Sequence, residues 1–265
     1  MHDPLIRSRA VALARSGASH AEIGRLLDIP SGTIGYWVRL DGLASAAPAR
    51  PAHRPCPRCD DSDLDQAAYA YLLGLYLGDG HITRSGRTYV LRIACGTAWP
   101  GLIRACERAI TAIRPANRVC RARKQGCVLV TAYSNHWPCL FPQHGPGRKH
   151  ERAIVLEPWQ RSVVSAHRWE FVRGLIHSDG CRVVNRTTKT IAGEPKRYEY
   201  PRYFFTNTSD DIIGLFTGTL DALGVEWKHL NQRRAAQTVS VARRGPWLSW
   251  TPMWGRNTDR CRYSP

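Results

Sequence analysis

Apolar positions recur at helical spacing in three short runs over residues 1–40. Ile6 to Ser16 forms the first run, and Gly17 closes it. Ser19, with Glu22 three positions on, has the form of a capping box, and the helix it opens carries Ile23, Leu26 and Leu27 on one face. Ile29-Pro30 breaks that run, and Ser31 opens a third helix containing Ile34, Trp37 and Val38. From Asp41 to Asp65 no apolar period survives; Ala, Pro, Arg and Gly dominate, which predicts a linker. From about 66 to 244 the pattern reads twice. The first pass predicts a helix from Ala67 to Gly78, strands His81–Arg84 and Thr88–Cys95, a helix Trp99–Ile113, and strands Arg118–Arg123 and Cys127–Ala132. The second predicts a helix Arg168–Ser178, strands Cys181–Asn185 and Tyr198–Asn207, a helix opened by Ser209 and ending at Leu223, and strands Val225–Leu230 and Thr238–Ala242.

The two leading helices match in detail. Leu72-Leu73-Gly74-Leu75-Tyr76-Leu77-Gly78-Asp79-Gly80 is repeated as Val172-Arg173-Gly174-Leu175-Ile176-His177-Ser178-Asp179-Gly180. Gly74 and Gly78 lie one helical turn apart, as do Gly174 and Ser178, so two helix backbones can cross closely at these small residues. Such a crossing would set Asp79 and Asp179 side by side, with Gly80 and Gly180 expected in the left-handed conformation that often ends a helix. Each aspartate then sits at the negative end of a helix dipole. Without compensation one of the pair would keep its proton; a hard divalent cation removes that conflict, and oxygen ligands suit Mg²⁺. A cation between paired carboxylates and a phosphodiester activates water for hydrolysis.

Charge narrows the partner. Lys and Arg number 38 against 21 Asp and Glu, a net +17, which points to a polyanion and foremost to nucleic acid. The run Ala67–Gly78 is too short to span a bilayer, and residues 1–17 scatter arginines where a signal peptide needs an apolar stretch. Cytoplasmic residence with no membrane partner is therefore expected, and with it nine reduced cysteines. Cys56-Pro57-Arg58-Cys59 is half of a zinc site, with His53 as a conceivable third ligand. No second CxxC occurs, so a linker pair without metal is the first expectation and Zn²⁺ at Cys56 and Cys59 the lesser one. His136-Trp137 and the loop Pro142–His150 read as a basic connection between the halves that contacts phosphate.

The twin motifs resemble the signature helices of a monomeric, two-motif LAGLIDADG homing endonuclease. Residues 21–38 (AEIGRLLDIPSGTIGYWV) are similar to resolvase- and sigma-type helix-turn-helices, which implies DNA contacts from Ser31, Thr33, Tyr36 and Arg39 on a recognition helix. The implied fold is α+β: a pseudo-twofold duplicated αββαββα saddle preceded by a small all-α helix-turn-helix domain. The expected organisation is a reader domain at 1–40, a linker at 41–65, LAGLIDADG halves at 66–150 and 151–244, and an atypical tail at 245–265. The resemblance implies that Asp79 and Asp179, helped by carbonyls of Gly78 and Ser178, bind catalytic Mg²⁺. Lys228 is implied as the basic catalytic residue. Lys124 is expected to contact phosphate, and Arg92, Arg121, Arg123, Arg182, Arg202 and Arg243 to follow the DNA backbone or read guanine edges. Where the family signature adds an acidic residue, this chain has Leu77 and His177. The implied activity is metal-dependent double-strand cleavage of DNA by a monomeric pseudo-dimer, associated with the nucleoid when bound. A transcriptional regulator that uses the scaffold only to bind DNA is the alternative; an RNA-splicing maturase fits the same fold and charge. Each half of the family normally ends in a packing helix, yet after Arg244 no helical period is visible.

Overall fold

In the computed structural model, residues 3–45, 56–191, 193–230 and 236–242 are described. The chain divides into two compact units, Met1–Arg54 and Pro55–Pro265. The expectations for His53, Arg243 and the tail at 245–265 lie outside the described residues, as does most of the linker.

The first unit is the three-helix arrangement that the apolar spacing predicts: α1 (Pro4–Arg15), α2 (His20–Leu27) and α3 (Ser31–Ser45). Gly17, with φ of +96°, turns the chain out of α1, and the Ser19–Glu22 capping box forms in both directions at the start of α2. The turn into α3 is tight: Asp28 is left-handed, and a Cβ on Gly24 would lie 2.7 Å from the Ile29 carbonyl oxygen. Ala10, Val11, Ile23, Ile29, Ile34 and Trp37 are buried together between the helices. Helix α3 runs to Ser45, beyond the expected boundary at 40, with Arg15 of α1 paired to Asp41 on it.

The second unit carries the duplication. Its first half contains α4 (Gln66–Leu77), β1 (Gly80–Ser85), β2 (Thr88–Gly96), α5 (Pro100–Ile113), β3 (Val119–Lys124), β4 (Cys127–Tyr133) and the single turn α6 (Trp137–Leu140). After α7 (Pro158–Ala166), the second half follows with α8 (Arg168–Asp179), β5 (Gly180–Ile191), β6 (Glu194–Asn207), α9 (Asp210–Ala222), β7 (Trp227–Leu230) and β8 (Gln237–Ala242). Both halves build a four-stranded antiparallel sheet in the same order, β1-β2-β4-β3 and β5-β6-β8-β7. Helix α4 is apolar all round and buried from Tyr69 to Leu77, as befits a helix at the centre of a core. One face of each sheet joins that core through Leu91, Ile93, Val128 and Val130 in the first half and Tyr203, Phe205, Val239 and Val241 in the second.

The apolar pattern gave no sign of the short helices α6 and α7, and the hairpin β5–β6 runs beyond its expected strands, pairing from Gly180–Phe205 out to Ile191–Glu194. The outer rungs of that hairpin are exposed, so backbone pairing and not alternating burial sets its length. Among the described residues no helix is long and apolar enough to cross a membrane.

Candidate paired-carboxylate site and nucleic-acid interface

The two signature helices meet at their glycines. A Cβ on Gly74 would lie 2.5 Å from the Phe171 carbonyl oxygen and 2.8 Å from Gly174 Cα; one on Gly174 would lie 2.2 Å from the Tyr71 carbonyl oxygen. One turn on, a Cβ on Gly78 would meet the Ser178 hydroxyl at 2.1 Å and Asp179 Oδ2 at 2.8 Å. The crossing of α4 and α8 is therefore backbone against backbone, and no side chain larger than hydrogen fits at Gly74 or Gly174 without moving a helix. Tyr71 flanks the crossing, its hydroxyl 2.9 Å from His177 Nδ1.

Gly80 and Gly180 are required for a reason other than the expected left-handed turn. Neither has positive φ. A Cβ on Gly80 would stand 2.4 Å from Tyr76 Cα, and one on Gly180 would stand 2.6 Å from the Ile176 carbonyl oxygen. The strand after each motif thus doubles back against its own helix.

The aspartates emerge from this crossing in unlike settings. Helix α4 stops at Leu77, leaving Asp79 exposed in a turn, whereas α8 continues through Asp179, which is half-buried. Asn207, at the end of β6, donates from Nδ2 to Asp179 Oδ2 at 2.7 Å. Burial raises the Asp179 carboxyl above its ordinary value, opposed by the Asn207 hydrogen bond and the charge of Lys149. Lys149 is the unexpected member of the site. Its ammonium donates to the carbonyls of Tyr76, Leu77 (3.0 Å) and Gly78 (2.7 Å), and both Asp179 and Asp79 act on its charge. It satisfies the last carbonyls of α4 and sets a positive charge against the negative helix end. Desolvation lowers its pKa to about 8, with the two aspartates opposing the shift. The Gly78 carbonyl, expected to help bind a metal, is thus occupied by an ammonium.

Strand register sorts the basic residues by face, because residues directly opposite in a ladder point the same way. Immediately after each motif glycine, a row crosses the sheet on the face away from the helices: His81–Arg92–Thr131–Cys120 in the first half and Cys181–Phe204–Ser240–Lys228 in the second. Arg92 and Lys228 therefore occupy corresponding rows, Arg92 on the strand next to β1 and Lys228 on β7, the edge strand farthest from β5. Lys124 and Arg202 lie on the same open faces. Arg121 and Arg123 fall on the helix-side face, in register with the buried Val130 and Val128, and Arg121 is already bonded to Glu107 of α5 (2.6 Å through Nη2). Arg182 shares the core-side face with Tyr203. In the first unit, Ser31, Tyr36 and Arg39 are exposed on α3 and Thr33 is half-buried, with the Arg39 guanidinium 5.9 Å from the Tyr36 ring centroid.

The CxxC pair is not a lone feature of a linker. Cys56 and Cys59 belong to the second unit and converge with His136 and Cys139, a Cys/His cluster able to hold a metal ion. The other half of the ligand set is His136-Trp137-Pro138-Cys139, an HxxC in place of the second CxxC that the first pair implies. Asn207 carried no comparable signal, and Lys149, in the basic loop 142–150 expected to contact phosphate, turns instead onto the carbonyls at the end of α4. Seven of the cysteines carry free thiols, but Cys181 is disulfide-bonded, contrary to the expectation of reduced thiols throughout.

No family model matches the chain, and no curated protein matches it. Among solved structures it is similar to mesophilic variants of the homing endonuclease I-DmoI, at 15% identity and a TM-score of 0.44 over 66% of this chain and 83% of that one. It is also similar to the LAGLIDADG meganuclease I-AabMI bound to uncleaved DNA, at 13% identity and a TM-score of 0.42 over 66% of this chain and 78% of that one. The N-terminal LAGLIDADG domain of DUF199/WhiA is similar at 11% identity and a TM-score of 0.40, over 67% of this chain and 75% of that one.

Proposed function

We propose that this protein is a sequence-specific, LAGLIDADG-type DNA-binding protein that hydrolyses both strands of DNA with Mg²⁺ at Asp79 and Asp179. The observation that carries the reading is the glycine crossing of α4 and α8, which joins two halves of matching strand order and leaves both carboxylates acting on the half-buried ammonium of Lys149. The donor set fits a hard cation: two carboxylates and neighbouring carbonyls offer only oxygen. The carbonyls of Leu77 and Gly78 and both carboxylates already draw one cation, the Lys149 ammonium, although desolvation lowers its pKa. Bound there, the cation would activate a water and stabilise the leaving oxygen of the phosphodiester.

The chain's own residues supply the rest. Asn207 holds the Asp179 carboxylate in place, and Lys149 offsets the repulsion between the aspartates and the α4 terminus. Arg92 and Lys228 carry positive charge on the open sheet faces, in position for phosphate or for the developing charge of the reaction. The net charge of +17 supplies the attraction for a long duplex, and α3 adds a reader helix at a second stretch of the site.

The test is incubation of the pure full-length protein with a supercoiled plasmid library and Mg²⁺. Linear product that disappears in Asp79→Asn and in Asp179→Asn supports the nuclease. Metal-independent, selective binding without any linear product overturns it. That second outcome would mark a transcriptional regulator built on the same scaffold, a reading favoured by the ammonium of Lys149 on the Gly78 carbonyl, where a metal would otherwise draw its ligand.

A further inference from the structure

Away from the aspartates, four ligating side chains converge where the second unit begins. Cys56 and Cys59 flank a tight turn ahead of α4, and His136 and Cys139 flank the first residues of α6. Their ligand atoms all lie within 4.8 Å of one another. Three edges of the cluster are 3.5 Å (Cys59 Sγ to Cys139 Sγ), 3.6 Å (Cys59 Sγ to His136 Nδ1) and 4.0 Å (Cys139 Sγ to His136 Nδ1). A tetrahedral zinc ion, with Zn–S of about 2.3 Å and Zn–N of about 2.0–2.1 Å, requires S···S edges of about 3.8 Å and S···N edges of about 3.5 Å. Each observed edge falls within about half an ångström of that figure, a distance side-chain torsions absorb readily.

The geometry points to a closed structural Zn²⁺ site formed by Cys56, Cys59, His136 and Cys139. Three sulfurs and an imidazole select zinc over the hard cations that the aspartates would take. Four protein ligands leave no open position for water, so the ion fastens the fold and performs no hydrolysis.

The contacts around the ligands are those of a prepared site. The Cys59 N–H donates to the Cys56 carbonyl at 3.1 Å, and the Cys56 N–H donates to Asp60 Oδ2 at 2.6 Å. The Asp60 N–H closes the turn onto the Cys56 carbonyl at 2.9 Å, and the Arg58 guanidinium lies 4.8 Å from the Trp159 ring centroid on α7. On the other side, Trp137 Nε1 donates to the Ala132 carbonyl at 2.8 Å, which fixes the turn carrying His136 and Cys139. Such outer contacts orient ligands before a metal arrives. The ion would join the chain just ahead of α4 to the end of β4, across 77 residues between Cys59 and His136. It therefore pins the entry to the helix whose far end presents Asp79.

Purified full-length protein, prepared without added metal, should contain one equivalent of zinc by plasma mass spectrometry. Cys59→Ser and Cys139→Ser should lose it, while Cys95→Ser in the core keeps it. Exchange with Co²⁺ should produce the visible bands of a tetrahedral site and a thiolate charge-transfer band, and His136→Cys should retain a full equivalent with a stronger charge-transfer band. Wild-type protein that carries no zinc and shows no cobalt bands after reduction and refolding with Co²⁺ overturns the proposal, as does a Cys59–Cys139 disulfide found by peptide mapping. The wild-type cobalt titration decides the matter even if the cysteine variants fail to fold. Metal content does not depend on DNA cleavage: Asp79→Asn should keep its zinc, so this site and the nuclease reading stand or fall separately.

Discussion

Replacing Gly74 with alanine should destabilise the second unit, although helix propensity alone says the reverse. An interior Gly→Ala change favours a helix by about 0.8–1.0 kcal/mol. At Gly74, however, the new methyl would stand 2.5 Å from the Phe171 carbonyl oxygen and 2.7 Å from Leu175 N, both backbone atoms of α8. Ordinary contact needs about 3.5 Å, so the two helices would have to part by about 1 Å within a core that resists such displacement. Overpacking costs about 1–3 kcal/mol, and about 2–3 kcal/mol where, as here, both clashing atoms are backbone and cannot rotate away, leaving a net loss of about 1–2 kcal/mol after the propensity gain. At a urea slope of about 2 kcal/mol/M the unfolding midpoint should fall by about 0.5–1 M. Gly214 in α9 is the control: it is exposed, nothing lies within 4 Å of its added Cβ, and the same change there should leave the midpoint unchanged or raise it. Equilibrium urea unfolding, followed by circular dichroism, measures both variants. Gly74→Ala as stable as the parent would refute the backbone-on-backbone crossing, and with it the route by which the aspartates meet.

Other expectations concern the site. Lys149→Met leaves the last carbonyls of α4 without their donor and should cost about 1–3 kcal/mol; Mg²⁺ should then raise the melting temperature more than it does in the parent, and an equal response would show that ammonium and metal do not share the site. Because burial raises the Asp179 carboxyl, the proton competes with the cation at higher pH than for an ordinary aspartate. The acid limb of the proposed cleavage should therefore lie above that of an ordinary aspartate, and Asn207→Ala, which removes a contact that lowers this pKa, should move the limb upward in single-turnover assays. DNA affinity should fall steeply with salt, by about 10³–10⁵ between 50 and 200 mM if about 6–10 phosphates are engaged. Arg202→Ala on the open face should flatten that slope in a fluorescence titration, whereas Arg121→Ala, already tied to Glu107, should leave it unchanged.

Much of the architecture was written in local chemistry. Apolar spacing and the Ser19–Glu22 box marked the first three helices, and the repeated small-residue motif announced both the duplication and the crossing. These features were legible because each depends on residues one or two turns apart. Local pattern erred where a conformation has more than one use: Gly80 and Gly180 looked like left-handed helix ends, but they serve close approach of strand to helix.

The sequence by itself determined that two halves of matching order would cross at small residues a helical turn apart, because the same motif occurs twice and each copy leaves room for a helix backbone, with an aspartate following each crossing. Only the tertiary structure decided what surrounds those carboxylates and which basic residues share their surface. Lys149, Asn207 and the pairing of Cys56 and Cys59 with His136 and Cys139 all depend on chain segments brought together over long separations. Strand register likewise put Arg92 and Lys228 on one face and Arg121 on the other. A one-residue shift in that register would reverse each side chain, and no local pattern of exposed arginines can fix it.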